Sequence, residues 1–363
     1  MKRENLIRKG MYALAYMAAV MCCIICLPLK AEATEPESYV GVTFCVDDFQ
    51  YEITADYDID LRYGEVKLIK YQPDTSSTIT NLKIPAKVPY NVINRTFRVT
   101  SIEEKAFYQC TNLESITIPS SVTRIGDSAF YDCSKLTSIT LPTGLTSIGA
   151  QVFADCSSLE SISMPSGVTS IGLAAFYGCS SLKSISIPSG VTRIGSSAFN
   201  SCTGLKSVSM QSGVTIIDDM AFYGCSSLTN ISIPSSVTII GSMTFDSCSS
   251  LESISIPGSV TSIGSSAFEG CSGLKSVSIQ SGVTGIESCD FKGCSSLTSV
   301  SIPSSVKSIG SSAFEGCSSL TSVSIPSSVT SIGSSAFEGC GSLTSITVQE
   351  GVRRIYELSL IHI

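Results

Sequence analysis

The chain of 363 residues has no tryptophan and one histidine, His362, next to its C-terminal residue. Serine or cysteine nucleophiles usually need a base such as histidine, so the near-absence of histidine argues against that chemistry. Basic residues are outnumbered, 23 against 30 acidic, for a formal charge of −7. Nothing here resembles the basic patch that nucleic-acid binding requires, and an acidic chain is poorly suited to anionic membranes. A glycine-rich phosphate loop is missing, because the glycines recur singly at turn positions. The adjacent carboxylates Asp218 and Asp219 read as solvated loop residues, not as an acid–base pair. Neither enzymatic activity nor a cofactor or metal is expected.

The N-terminus has its own composition. Lys2, Arg3, Arg8 and Lys9 precede the apolar run "MYALAYMAAVMCCIICLPL" (11–29), and "AEA" (31–33) follows. That order is the pattern of a secretory signal peptide, cleaved after Ala33. The competing reading is an uncleaved anchor, since 19 mostly apolar residues just reach across a bilayer. Cleavage would remove Cys22, Cys23 and Cys26 and leave 13 of the 16 cysteines, with no CxxC pair among them. Apart from this segment no membrane contact is expected.

What the sequence has in abundance is repetition. Phe recurs at 107, 130, 153, 176, 199, 222, 245, 268, 291, 314 and 337, always 23 residues apart. Cys follows three residues after each Phe and Leu three after that, from Cys110 and Leu113 to Cys340 and Leu343. A period of 20–29 residues falls in the leucine-rich-repeat range.

One unit can be read physically. In "LESITIP" (113–119), Ile116 and Ile118 alternate with Ser115 and Thr117, which is strand periodicity. Pro119 lacks the N–H that a ladder needs and ends the strand. "SVTRIG" (121–126) is a second extended piece with Val122 and Ile125 inward. "DSAFYDC" (127–133) is short and tolerates a helical turn that would bury Ala129, Phe130 and Cys133. Each segment has one apolar face, which only a stacked neighbour can cover. The expected fold is therefore an α/β repeat: a right-handed solenoid of about eleven 23-residue coils over 99–355, with a parallel sheet on one side and a helical convex side. Residues 34–98 leave the period but contain strand-like "FQYEIT" (49–54) and "GEVKLIKY" (64–71), and are read as a β-rich cap. Residues 356–363, "YELSLIHI", abandon the repeat and read as an aberrant, truncated or mis-assembled tail.

The repeat cysteines are read as buried free thiols. Equivalent residues stack about 4.8 Å apart with parallel Cβ vectors, unlike the ~3.8 Å Cβ separation a disulfide prefers. A longer period is also present. Gln211, Gln280 and Gln349 replace the strand-ending proline, and Asp218, Glu287 and Tyr356 replace the turn glycine, each 69 residues from the next. This is the mark of a duplicated three-coil block.

The unit "LTSVSIPSSVTSIGSSAFEGCSSL" resembles the treponemal, BspA-like leucine-rich repeat, over about 98 to 355. The likeness implies an exported or cell-surface protein, of a kind found in host-associated bacteria with relatives in some parasitic protists. It also implies, for several members, adhesion to extracellular-matrix or plasma proteins. The C-terminal anchoring module of such proteins is not recognisable here.

The candidate surface is the outward strand face. Its two positions per coil carry hydroxyls in all eleven coils except at Asn230, and they include Ser184, Ser186, Ser207, Ser209, Ser276 and Ser278. The position before them varies, through Glu160, Lys183, Lys206, Glu252 and Lys275. The leading expectation is a protein-binding solenoid that uses this face and rim, secreted or on the cell surface. The alternatives are a spacer array displaying another module, with serine as soluble filler, and a hydroxyl array binding glycans or ice. Tyr177 and Tyr223 lie on the opposite, convex side.

Overall fold

In a computed structural model of the protein, residues 38–58, 63–72, 80–91 and 95–357 are described. The expected leader and residues 358–363 of the expected tail lie outside them. The repeat folds as parallel coils in register, each residue pairing with its equivalent 23 positions away. Ser184 faces Ser207 and Ser186 faces Ser209, for example, and Ser276 faces Ser299. Two ladders run along the body rather than the single one expected. The first contains the Ser-Ile-Ser strands and the second the two-residue strands typified by Arg193–Ile194.

The expectation of helix is corrected: the described residues contain none. The reason lies in the "DSAFYDC" segment. Two residues in every coil, two before and two after the Phe, have positive φ, as at Ser128 (54°) and Asp132 (54°), or Ser312 (56°) and Gly316 (73°). Left-handed residues at this spacing break a right-handed helix. In place of helical bonds, alternate amides reach the next coil. Ser128 N–H donates to Ala150 O (2.9 Å), Phe130 N–H to Val152 O (2.9 Å) and Asp132 N–H to Ala154 O (2.8 Å). The amides between them close tight turns, such as Tyr131 N–H to Ser128 O at 3.1 Å. The coil therefore has three hydrogen-bonded sides and no helical one.

Inside the triangle the rings stack. From Phe107 to Phe337 successive ring centroids lie 5.0–5.6 Å apart, with planes within 18° of parallel. Parallel rings at that separation are offset-stacked. The cysteines sit beside this column. Each buried thiol donates to the carbonyl of a Phe 26 residues earlier, as in Cys202 Sγ to Phe176 O (3.1 Å) and Cys225 Sγ to Phe199 O (3.2 Å). The same carbonyl also accepts a backbone N–H three residues on, as in Cys179 N–H to Phe176 O (3.2 Å), so alanine in place of Cys202 would remove only the second bond and serine would lose the apolar volume.

The 69-residue period has a structural consequence. With Gln in place of Pro, an N–H becomes available, and Gln211, Gln280 and Gln349 donate to Ile187 O, Ile256 O and Ile325 O. The paired strands there lengthen to four residues, Ser184–Ile187 with Ser207–Met210, Ser253–Ile256 with Ser276–Ile279, and Ser322–Ile325 with Ser345–Val348.

The N-terminal residues form β1 (Thr43–Val46), β2 (Phe49–Asp58), β3 (Tyr63–Tyr71), β4 (Asn81–Lys83), β5 (Lys87–Tyr90) and β6 (Arg95–Ile102). They start the ladders as well as covering them. β4 pairs in parallel with Ser115–Thr117 in the first ladder, and β6 with Arg124–Ile125 in the second. The aromatic column continues into them, with Tyr71 on Phe107 (5.6 Å) and Phe49 on Tyr71 (5.3 Å).

Two outcomes follow. Phe222→Ala, at the middle of the column and fully buried, is expected to cost about 3–5 kcal/mol in chemical denaturation. Thiol labelling of the folded protein is expected to modify exposed Cys45 first and the half-buried Cys110 and Cys289 more slowly. The ten buried thiols should react only on denaturation; their rapid reaction in the native state would contradict this packing.

Candidate functional site

The outward strand side chains are held by alternation. Ile185 and Ile187 enter the core, so Ser184 and Ser186 must face out. The same holds for Ser207 and Ser209 around Val208, and for Ser276 and Ser278 around Val277; all six hydroxyls are exposed. Glu160, Lys183, Lys206, Glu252 and Lys275 are exposed as well. A backbone ladder aligns them: Lys183 N–H donates to Glu160 O, Lys206 N–H to Lys183 O and Lys275 N–H to Glu252 O.

This arrangement gathers the candidates into two groups. Thr229 separates Glu160, Lys183 and Lys206 from Glu252 and Lys275. Lys275 Nζ and Glu252 Oε2 pair at 3.3 Å and largely neutralise each other. Among the described residues Lys183 and Lys206 make no ion pair, so the cationic character of the rim is concentrated there.

Next to these lysines the first ladder is interrupted. The strand Ser161–Ser163 ends one sheet and Ser184–Ile187 begins the next. A shallow groove of about 390 Å³ lies over the interruption, with Ser161, Ser163, Ser184 and Ser186 on its walls and Ile162, Met164 and Pro188 among its apolar lining. Ser166, Ser189 and Gln211 complete it. Of the candidates, Ser184 and Ser186 line the groove and Ser207 and Ser209 pair beside them, whereas Ser276 and Ser278 belong to a separate sheet. Met164, Pro188 and the loop serines escaped the sequence reading, which followed strand alternation only; the missing proline at Gln211 was the one signal pointing to this place.

Titratable groups elsewhere are structural. Burial pushes the thiols of Cys179, Cys225 and Cys294 well above their usual range, and that of Cys202 up to about 12. Asp290 stands where most other coils carry Ala and is 1% exposed. Burial raises its carboxyl to about 7. One oxygen accepts the Glu287 N–H (2.7 Å) and the other the Ala267 N–H (3.3 Å). No group of three or more His, Cys, Asp or Glu among the described residues is placed to hold a metal. No helix there is long and apolar enough to cross a membrane.

Parallel ladders of equivalent residues with a locally charged rim are the equipment of a repeat protein. The comparisons agree. Residues 77–203, 170–298 and 286–361 match the BspA type Leucine rich repeat region, and the chain belongs to that family. It is similar in structure to a leucine-rich repeat protein from Bacteroides ovatus, at 34% identity and TM-score 0.58, covering 86% of this chain and 90% of that one. A leucine rich cell surface protein from Faecalibacterium prausnitzii is 28% identical, with TM-score 0.48, over 85% of this chain and 95% of its own. The T. pallidum Leucine Rich Repeat protein is 31% identical, with TM-score 0.47, over 55% of this chain and 87% of its own. Among curated proteins no sequence matches this chain.

Asp290 gives a signed pH dependence. Burial raises its carboxyl to about 7 in the folded state, above the usual aspartate range, so the folded state holds a proton that the unfolded chain releases. Stability from this group is complete below pH ~4 and is lost as the pH rises to about 7. Asp290→Ala is expected to stabilise the protein by about 1 kcal/mol or more at pH 8, and by less at pH 5, in urea denaturation.

Proposed function

We propose that the protein acts at the cell surface by binding a protein ligand through the strand face between residues 160 and 211, as an adhesion module without catalysis. The observation that carries this reading is the coincidence of Lys183 and Lys206, which form no ion pair among the described residues, with a hydroxyl-lined groove at a break in the first ladder. Parallel strands make a rigid platform, so little ordering entropy is lost on binding. Serine is a weak hot-spot residue. Affinity therefore comes from the apolar groove lining at Ile162, Met164 and Pro188, and selection from the two lysines. An acidic ligand surface is the complement of that rim. Extracellular-matrix and plasma proteins are the class of ligand that the family resemblance supports.

The test is binding of immobilised matrix and plasma proteins to the chain, measured with Lys183→Glu/Lys206→Glu and with Ser184→Trp. Each variant is expected to weaken a ligand's binding at least about tenfold, with Lys275→Glu changing it less because Lys275 is already paired. Unchanged affinity in both would remove the strand face as the site. Binding inhibited by free sugars and not by these charge reversals would favour glycan recognition by the hydroxyls.

A further inference from the structure

The turn side differs from the strand side in chemistry as well as position. The residue after each core Phe lies along it, half-buried or exposed except at the buried Ala154. In the early coils this row carries Tyr108, Tyr131, Tyr177 and Tyr223; in the later ones Asp246, Glu269, Glu315 and Glu338, with Lys292 among them. Large apolar groups are exposed on the same side: Leu173 at 55%, Tyr108 at 41%, Tyr177 at 39% and Met220 at 37%. A soluble protein rarely gathers such groups on one surface without a use for it.

The carboxylates say what kind of partner fits. Among the described residues the ion pairs on this side are Lys105 with Glu104 (2.8 Å) and Lys292 with Glu315 (3.3 Å). Asp155, Asp219, Asp246 and Glu269 make none. Asp219 is nevertheless positioned, since its Oδ1 accepts the Ser242 N–H at 2.8 Å. Burial raises the Asp246 carboxyl, the Ser247 hydroxyl that donates to its Oδ1 at 2.7 Å opposes the shift, and the charge of Glu269 adds to it; no cation among the described residues forms an ion pair with it. Carboxylates bind Lys and Arg by charge-assisted hydrogen bonds, and tyrosine ring faces bind the same cations. The chain already contains one such contact in its cap, where the Arg98 guanidinium lies 4.7 Å from the Tyr63 ring centre. Tyr177 and Tyr223 are two coils, roughly 10 Å, apart, a span suited to an extended segment.

We propose that the turn side, centred on Tyr177, Tyr223, Asp219 and Asp246, is a second interaction surface and takes a cationic, Lys/Arg-rich polypeptide segment. It is independent of the strand face, whose rim is cationic at Lys183 and Lys206, so one molecule offers surfaces of opposite preference on different sides.

The probe is a fluorescent hexa-arginine peptide, titrated into the whole protein at low and at physiological salt. In Asp155→Asn/Asp219→Asn/Asp246→Asn/Glu269→Gln, four charges are lost from the turn side with shape retained, and binding is expected to fall at least about tenfold. In Glu114→Gln/Glu160→Gln/Glu252→Gln/Glu350→Gln, the same number is lost elsewhere, and the change is expected to stay within twofold. Tyr177→Ser/Tyr223→Ser is expected to weaken binding severalfold, most visibly at physiological salt, where exposed ion pairs are screened. Lys183→Glu/Lys206→Glu should not weaken it, which separates this surface from the strand-face reading. Equal losses in the two carboxylate sets would reduce the effect to net charge and overturn the proposal. So would unchanged binding in the tyrosine variant, or no binding by the original protein.

Discussion

Register between successive coils is the constraint on which everything else depends. No coil can bury its Phe, Cys, Leu and Ile residues alone, so each uses the equivalent residues of its neighbours. The Phe column at 5.0–5.6 Å, the two strand ladders and the amides of the turn side all connect a residue to its near-equivalent one coil away. A one-residue slip would displace all of them together. That explains why the 23-residue spacing never varies from Phe107 to Phe337, although many outward residues do.

The turn side shows how a small backbone preference sets a whole surface. Two left-handed residues flank each Phe and direct alternate amides out of the coil instead of along a helix axis. The gain is a third intercoil ladder. The cost is strained backbone at non-glycine residues such as Met220 (φ 56°) and Cys289 (φ 61°). Six coils relieve half of it with glycine, at Gly178, Gly224, Gly270, Gly293, Gly316 and Gly339. Close approach acts at the neighbouring turn: a methyl group on Gly241 would collide with the Asp218 and Asp219 backbone of the preceding coil.

Function in such a molecule resides in departures from the repeat, because identical coils cannot mark one place along a solenoid. The departures cluster. Asp218 replaces a turn glycine and receives Arg193 from the preceding coil through two hydrogen bonds, 2.5 and 2.9 Å. Gln211 replaces a proline at the edge of the strand-face groove. Charge is sorted too, with unpaired lysines on the strand rim and unpaired carboxylates with tyrosines on the turn side.

Much of this was legible in the residues. The period of Phe107 to Phe337 determined a stacked solenoid, because only stacking covers one apolar face per segment. Ser-Ile alternation placed Ser184 and Ser186 outside, and the like orientation of stacked Cβ vectors kept the cysteines as free thiols. What the sequence could not show depends on contacts between residues in different coils. Nothing in "DSAFYDC" distinguishes a helical turn from left-handed residues bonded to the next coil; the neighbour's carbonyls decide it. Likewise the pairing of Lys275 with Glu252, the groove between Ser161–Ser163 and Ser184–Ile187, and the continuation of the Phe column through Tyr71 and Phe49 arise only when chain segments meet. Local pattern determined which residues face inward; the tertiary structure decided what each one meets there.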